Sequence, residues 1–234
     1  MSTLKIQYQT NELTPPPYAH AIELSLIPAA DGLKVDFELI YLERDALDED
    51  EILMEGFSLD DNIQWSGLLP EVWIGLVKEY TDAVSLFDKK ELNESDAYWH
   101  ISAGQKEGYP KNTEASYFFI EELQQAIYEA ANIEMPLAIT IKRIDKDEEN
   151  SYKFAGSFAE RKFTKDINGQ HTELHWSKLN PFLKDIFSGE FRPEQASNKA
   201  PKKNGLFINL GDELWYELGK SYLIKPSNVS KHLA

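Results

Sequence analysis

The feature that most constrains the fold is the alternation of apolar and polar residues in two neighbouring stretches, 22–26 and 33–41. A short connection containing Asp31 and Gly32 joins them. A period of two on both sides of a glycine-containing turn predicts an antiparallel β-hairpin with one buried face. The chain is therefore expected to build at least part of its core on an antiparallel sheet.

The opposite, outward face of this hairpin is acidic. It carries Glu23 on the first strand and Asp36 and Glu38 on the second. A short connection places Glu23 opposite Asp36 or Glu38, and like charges directly opposite one another destabilise a sheet. Either solvent screens these carboxylates or a positive group sits over them, so Glu23, Asp36 and Glu38 are the candidate binding residues.

Charge narrows the classes of partner. The 234 residues include 24 basic and 40 acidic side chains, a formal net charge of -16. Nucleic acids and anionic membranes attract basic surfaces, so neither is expected as a partner. A basic protein or a second copy of the chain is the expected partner, although the same acidity also serves solubility alone.

Cysteine is absent, which excludes disulfides, zinc-thiolate sites and cysteine nucleophiles. The first residues lack the apolar core of a secretion signal, and no stretch approaches the length of a membrane span. These features predict a cytoplasmic protein. No phosphate loop or dinucleotide-binding fingerprint occurs, and we expect no cofactor.

Two segments have the three- and four-residue apolar spacing of long helices. The first set is Trp73, Leu76, Val77, Tyr80, Val84 and Phe87. The second set is Phe119, Leu123, Ala126, Ile127 and Ala130. Shorter helices are expected over 49–55, over 180–189 with Phe182, Leu183, Ile186 and Phe187 inward, and after Asp212. Residues 104–112 are expected to form a loop.

Residues 136–176 resemble a three-stranded meander, with strands at 137–144, 152–163 and 170–176. The apolar phase slips between Phe158 and Phe163, which predicts a β-bulge. The fold class is therefore α+β: mainly antiparallel sheet, from the N-terminal hairpin and this meander, with two long and several short helices. One domain is expected over 1–190, followed by an exposed loop at 191–205 and a strand-helix segment with a tail, 206–234, packed on the same domain.

Among the five histidines, only His171 and His175 belong to a cluster of potential metal ligands, with Glu173 between them, and these three residues share one face if the segment is a strand. His171 and His175 would lie about 13 Å apart, too far to share one zinc ion. One histidine with Glu173 could supply two ligands of a metal-assisted hydrolase, provided that another strand added more.

Other residues allow two further hypotheses. Basic residues of the meander lie among aromatics, as on an RNA-binding sheet, but the expected role is pairing with acids. The five tryptophans could line a small-ligand pocket or fill the core. The favoured hypothesis is a non-catalytic binding protein, such as an inhibitor or immunity-type partner of a basic protein, or a self-associating module. The alternatives are the hydrolase and the small-ligand binder.

Overall fold

The structure is a computed structural model that describes residues 3–146 and 148–233. The chain divides into two compact units, the first ending at Glu134 and the second beginning at Met135. Each unit is built on its own antiparallel sheet. The expected α+β class, dominated by antiparallel sheet, is confirmed.

The first unit contains a seven-stranded sheet. Its strands are β1 (Leu4–Gln9), β2 (His20–Ala29), β3 (Gly32–Tyr41), β4 (Ile63–Leu69), β5 (Leu86–Phe87), β6 (Tyr98–Ala103) and β7 (Lys106–Pro110). They lie side by side in the order β4-β3-β2-β1-β6-β7-β5. The alternating hairpin forms β2 and β3, and β1 inserts between β2 and β6.

Three helices belong to this unit: α1 (Glu49–Met54), α2 (Val72–Ala83) and α3 (Thr113–Ala130). The two long ones match the two long helices that the apolar spacing predicted. Tyr128 of α3 packs edge-on against Phe37 of β3, and Tyr117 packs against Tyr8 of β1. Helix α3 therefore covers the apolar face of the sheet and leaves the opposite face open.

The second unit contains a six-stranded sheet and a separate two-stranded one. The strands are β8 (Leu137–Ile144), β9 (Glu149–Ser157), β10 (Lys162–Ile167), β11 (Gln170–Leu174), β12 (Glu190–Phe191), β13 (Gly205–Asn209), β14 (Tyr216–Glu217) and β15 (Tyr222–Leu223). The larger sheet has the order β11-β10-β9-β8-β13-β14, and β12 pairs with β15. Helices α4 (Leu179–Phe187) and α5 (Pro226–Ser230) complete the unit, together with short 3-10 turns at 176–178 and 193–195. A third 3-10 turn, at 44–46, belongs to the first unit.

Several expectations about elements are corrected. The stretch 152–163 is not one bulged strand but belongs to β9, a turn and β10, since Arg161 has a positive φ of 53° and its N–H donates to the Phe158 carbonyl. The phase slip thus marks a turn. The expected loop at 104–112 contains β7, and the segment after Asp212 forms the short strand β14 in place of a helix.

Two side chains expected to point inward are exposed. Phe87 follows the end of α2 and belongs to β5, and Phe187 is the last residue of α4. The helical phase does not apply to Phe87, because α2 ends at Ala83, whereas Phe187 lies within the last turn of α4.

The unit boundary falls inside the range 1–190 that the sequence predicted as one domain. The segment 191–205 is mostly exposed, as a loop would be, and the residues from 206 onward contribute Ile208, Tyr216 and Val229 to the core of the second unit. Up to Glu134 the sequence has 8 basic and 27 acidic residues, a net charge of -19. From Met135 it has 16 basic and 13 acidic residues, a net charge of +3. The acidity of the chain therefore belongs entirely to the first unit.

Candidate functional site

The open face of the seven-stranded sheet bears a groove of about 500 Å³, which we call the acidic groove. Two rows of polar side chains cross the strands there, because residues of equal parity on paired strands point to the same side. The first row is His100, Gln7, Glu23, Glu38 and Gln64. The second row is Ser102, Lys5, Ser25, Asp36 and Ser66.

The three predicted binding residues all line this groove. Glu23 lies directly opposite Glu38 across β2 and β3, while Asp36 is opposite Ser25. Two carboxylates therefore face one another across neighbouring strands, the arrangement that the outward face of the hairpin predicted. Like charges in such a pair repel each other and destabilise the sheet.

Hydrogen bonds hold two of the three carboxylates in place. Gln7 donates through Nε2 to Glu23 Oε1 at 3.1 Å, and the Ser66 hydroxyl donates to Asp36 Oδ1 at 2.7 Å. Within residues 3–146 and 148–233, Glu38 makes neither an ion pair nor a side-chain hydrogen bond. The groove thus holds positioned acceptors whose charge is not neutralised by a direct ion pair.

Apolar side chains on the same face border both rows. Tyr98 and Ile40 follow in phase beyond the first row, and Ile27 and Leu68 follow beyond the second. All four are exposed. The open face is therefore a polar band with exposed apolar residues at two borders, which also carry Gln9 beside Tyr98 and Lys34 between Ile27 and Leu68.

Comparison with models of known protein families, with curated proteins and with solved structures finds no significant match to this chain. Among the described residues, no helix combines the length and the apolar character needed to cross a bilayer.

The candidate metal ligands do not converge. His171 and Glu173 lie on the exposed strand β11, opposite Asp166 and Thr164 of β10. His175 lies beyond the end of this strand, and its Nδ1 contacts the hydroxyl of Ser177 at 2.7 Å. The described part of the chain has no group of three or more His, Asp or Glu side chains placed to hold a metal ion. The metal-assisted hydrolase therefore gains no support from the geometry.

Three of the basic residues of the meander pair with nearby acids. Lys142 contacts Glu149 at 2.8 Å, Arg143 contacts Asp145 at 2.9 Å and Lys162 contacts Glu160 at 3.3 Å. The charges of these three residues are therefore used in ion pairs within the meander itself.

No tryptophan lines the acidic groove. Trp73 and Trp99 are buried in the first unit, and the other three are partly buried. A second hollow of this unit, about 320 Å³, lies between His20, Tyr41 and Glu121 and contains no tryptophan. Burial raises the pKa of Glu121, because the charged form of its carboxyl is incompletely hydrated there.

The sequence did not indicate the residues that β1 and β6 add to the groove: Lys5, Gln7, His100 and Ser102. The residue pattern predicts short strands over 4–9 and 97–103, with Tyr98 and His100 on one side of the second, but it does not say which side faces outward. Their place beside the hairpin depends on the pairing of β1 with β6, whose paired residues lie 89 to 99 positions apart in the sequence. Local patterns carry no signal for such pairing.

Proposed function

We propose that the first unit is a non-catalytic binding module whose acidic groove takes a basic segment of a partner protein, as an inhibitor or immunity-type protein would. The observation that carries the proposal is the direct opposition of Glu23 and Glu38 on an open sheet face. Mutual repulsion raises the free energy of this pair in the free protein, and a cation placed between the two carboxylates relieves it.

The charge of the whole unit favours the same class of partner. A net charge of -19 produces a field that attracts cationic proteins and accelerates their encounter, and it repels nucleic acids. A second copy of the chain is a weaker candidate, because the other unit has a net charge of only +3.

The shape of the groove suits an extended peptide. Its rows run across five strands from β6 to β4, a span of about 19 Å at the usual spacing between strands. An extended segment of about six residues covers that distance. A complementary peptide would place lysine or arginine side chains over the polar band. Its apolar residues would contact Tyr98, Ile40, Ile27 or Leu68.

The test compares Glu38→Gln with Glu79→Gln, which removes the same charge from an exposed position on α2, outside the groove. The probe is a fluorescent lysine-rich peptide of about six residues, with a glutamine analogue as the neutral control. We expect Glu38→Gln to stabilise the free protein by about 0.2–1 kcal/mol, since it removes one like-charge pair. It should also weaken lysine-peptide binding by about threefold or more at low salt.

Glu79→Gln should leave peptide binding unchanged, and binding to the parent protein should fall as salt rises. Equal affinity of the two variants for the lysine peptide would place binding outside the groove. Absence of binding at low salt would remove the proposal, and concentration-dependent dimerisation lost in Glu38→Gln would replace the basic partner by a second copy.

A further inference from the structure

The hollow of about 320 Å³ in the first unit, which we call the aromatic hollow, lies at the end of the sheet face that α3 covers. The sheet contributes His20 on β2 and Tyr41 on β3, which lie directly opposite each other. Both have the parity of the buried residues Ile22 and Leu39, so their rings point to the covered face. The aromatic hollow is therefore separate from the acidic groove, which lies on the other face of the same sheet.

Helix α3 supplies the opposite wall of the hollow. Tyr117, Glu121 and Gln125 follow one another at a spacing of four residues, which places them on one side of the helix. The Tyr117 ring packs against the buried Tyr8, with 5.5 Å between centroids, and Tyr117 remains 37% exposed. The core thus holds this ring in place and leaves part of its surface open to a ligand.

The rings on the sheet side are also partly exposed. The centroids of His20 and Tyr41 lie 6.0 Å apart. Nδ1 of His20 lies 2.8 Å from the Tyr18 carbonyl oxygen, and this contact fixes the orientation of the imidazole. Together with Tyr117, the two rings give the hollow aromatic walls on both the sheet and the helix.

Aromatic residues at this end of the sheet already hold one cation. The guanidinium of Arg44 lies 3.7 Å from the centroid of the Tyr41 ring and 4.8 Å from that of Phe57. Its charge is paired with Asp61 at 2.7 Å, and Arg44 is not among the residues that line the hollow. Tyr41 therefore contacts Arg44 outside the hollow and contributes a different part of its surface to the lining.

The charged group of the lining is a single carboxylate, that of Glu121. Among the residues that the structure describes, no lysine or arginine lines the hollow, and Glu121 forms no ion pair. Burial raises the pKa of Tyr117, and the nearby charge of Glu121 raises it further. A positive charge placed in the hollow would therefore neutralise a partly buried carboxylate that stands beside aromatic rings.

We propose that the aromatic hollow binds a small quaternary ammonium compound, with the alkylated nitrogen against the rings of Tyr117 and Tyr41 and its charge beside Glu121. The faces of aromatic rings attract cations, and a quaternary ammonium has no N–H group that needs an acceptor. An anion would be repelled by Glu121, and a neutral ligand would leave its charge unpaired. A metal ion would need several oxygen ligands, whereas the hollow has one carboxylate.

The probe is choline, and the matched control is the neutral alcohol in which a tert-butyl group replaces the trimethylammonium group. Titration calorimetry compares the full chain with Glu121→Gln and with Glu79→Gln, which removes the same charge from α2, outside the hollow. A second pair of variants tests the ring: Tyr117→Leu removes it, and Tyr117→Phe retains it. A trimethyllysine peptide is titrated as well, because a modified protein segment carries the same cationic group.

We expect choline to bind the parent protein at least about tenfold more tightly than the alcohol. Glu121→Gln and Tyr117→Leu should each lose about threefold or more in choline affinity, whereas Tyr117→Phe and Glu79→Gln should bind as the parent does. If Tyr117→Leu does not fold, Glu121→Gln and the neutral alcohol still decide the result.

Equal binding of choline and the alcohol, unchanged choline affinity in Glu121→Gln, or no choline binding at millimolar concentration would each overturn the proposal. A loss in Glu79→Gln as large as that in Glu121→Gln would do the same, because the attraction would then come from the net charge of the unit. Tighter binding of the trimethyllysine peptide than of choline would assign the hollow to a modified protein and remove the small compound.

Discussion

Trp73 is a position at which the contribution of one buried side chain to the free energy of unfolding can be measured. It lies in the first turn of α2 and is only 1% exposed. We expect Trp73→Ala to lower the free energy of unfolding by about 3–5 kcal/mol, because the truncation loses buried apolar surface and leaves a cavity. Val72→Ala at the preceding, exposed position is the control, and denaturant titration of both variants is the measurement. A loss below about 1 kcal/mol for Trp73→Ala would contradict its burial.

Individual residues also show where sequence reasoning works. The acidic face was recognisable because Glu23, Asp36 and Glu38 share a parity that two neighbouring strands and one turn define locally. Glu121 was not recognisable as a residue of the aromatic hollow. Its place opposite His20 and Tyr41 depends on how α3 packs on the sheet, and the apolar spacing of a helix does not specify that packing.

Among the elements, strand β7 depends on glycine at position 108. Gly108 has a φ of +139°, and a Cβ there would come within 2.0 Å of the Phe87 carbonyl oxygen on β5. We expect Gly108→Ala to destabilise the first unit by about 1–3 kcal/mol. Gly75→Ala in α2 meets nothing within 4 Å and should stabilise the protein by about 0.5–1 kcal/mol. Thermal melts of the two variants should therefore shift in opposite directions, and a shift in the same direction would contradict the close approach of β5 and β7.

Asp185 links α4 to the residues after α5. The hydrogen bond from Lys231 and the contact with His232 lower the pKa of the Asp185 carboxyl below its ordinary value. A carboxyl whose pKa is lower in the folded state stabilises the fold above its unfolded pKa, and the contribution disappears as pH falls through the folded pKa. Asp185→Asn should therefore be less stable than the parent near neutral pH, with the difference vanishing in strong acid. Urea titrations across that range measure the difference, which should not persist at the acid end.

Elements were predictable where the sequence signal is local. The apolar spacing located α2 and α3, and the short helix expected over 49–55 corresponds to α1. This helix begins with a capping box in which the Asp48 N–H donates to the Glu51 carboxylate at 3.2 Å. Strands β4, β5 and β7 were not anticipated. Strand β5 has only two residues, and β4 and β7 each contain a glycine, so their own patterns are weak. Each depends on pairing with its neighbours in the sheet: β4 with β3, and β7 with β6 and β5.

For the whole molecule, the unequal division of charge predicts an unequal response to salt. The first unit has a net charge of -19 and the second +3, so self-repulsion weakens mainly the first. Raising the ionic strength from about 0.01 M to about 0.1 M shortens the screening length from about 30 Å to about 10 Å. Hydrogen exchange followed by mass spectrometry should slow in buried peptides before Glu134 and change little after Met135. Equal slowing in both units would contradict the prediction.

The ends of the two sheets differ in how readily they could accept a foreign strand. In the part of the chain that the structure describes, β5 and β14 are two residues long, and β11 is exposed and polar. Strand β4 has seven residues without a charge or a proline, and it pairs with β3 alone. An uncharged strand at the edge of a sheet can pair with the same strand of another molecule and so start a cross-β assembly. The residues that oppose such pairing flank the strand: Asp60 and Asp61 precede it, and Pro70 and Glu71 follow it. Fibril nucleation in a heated or concentrated sample is therefore expected to begin at β4, restrained by four neighbouring side chains and not by the strand itself.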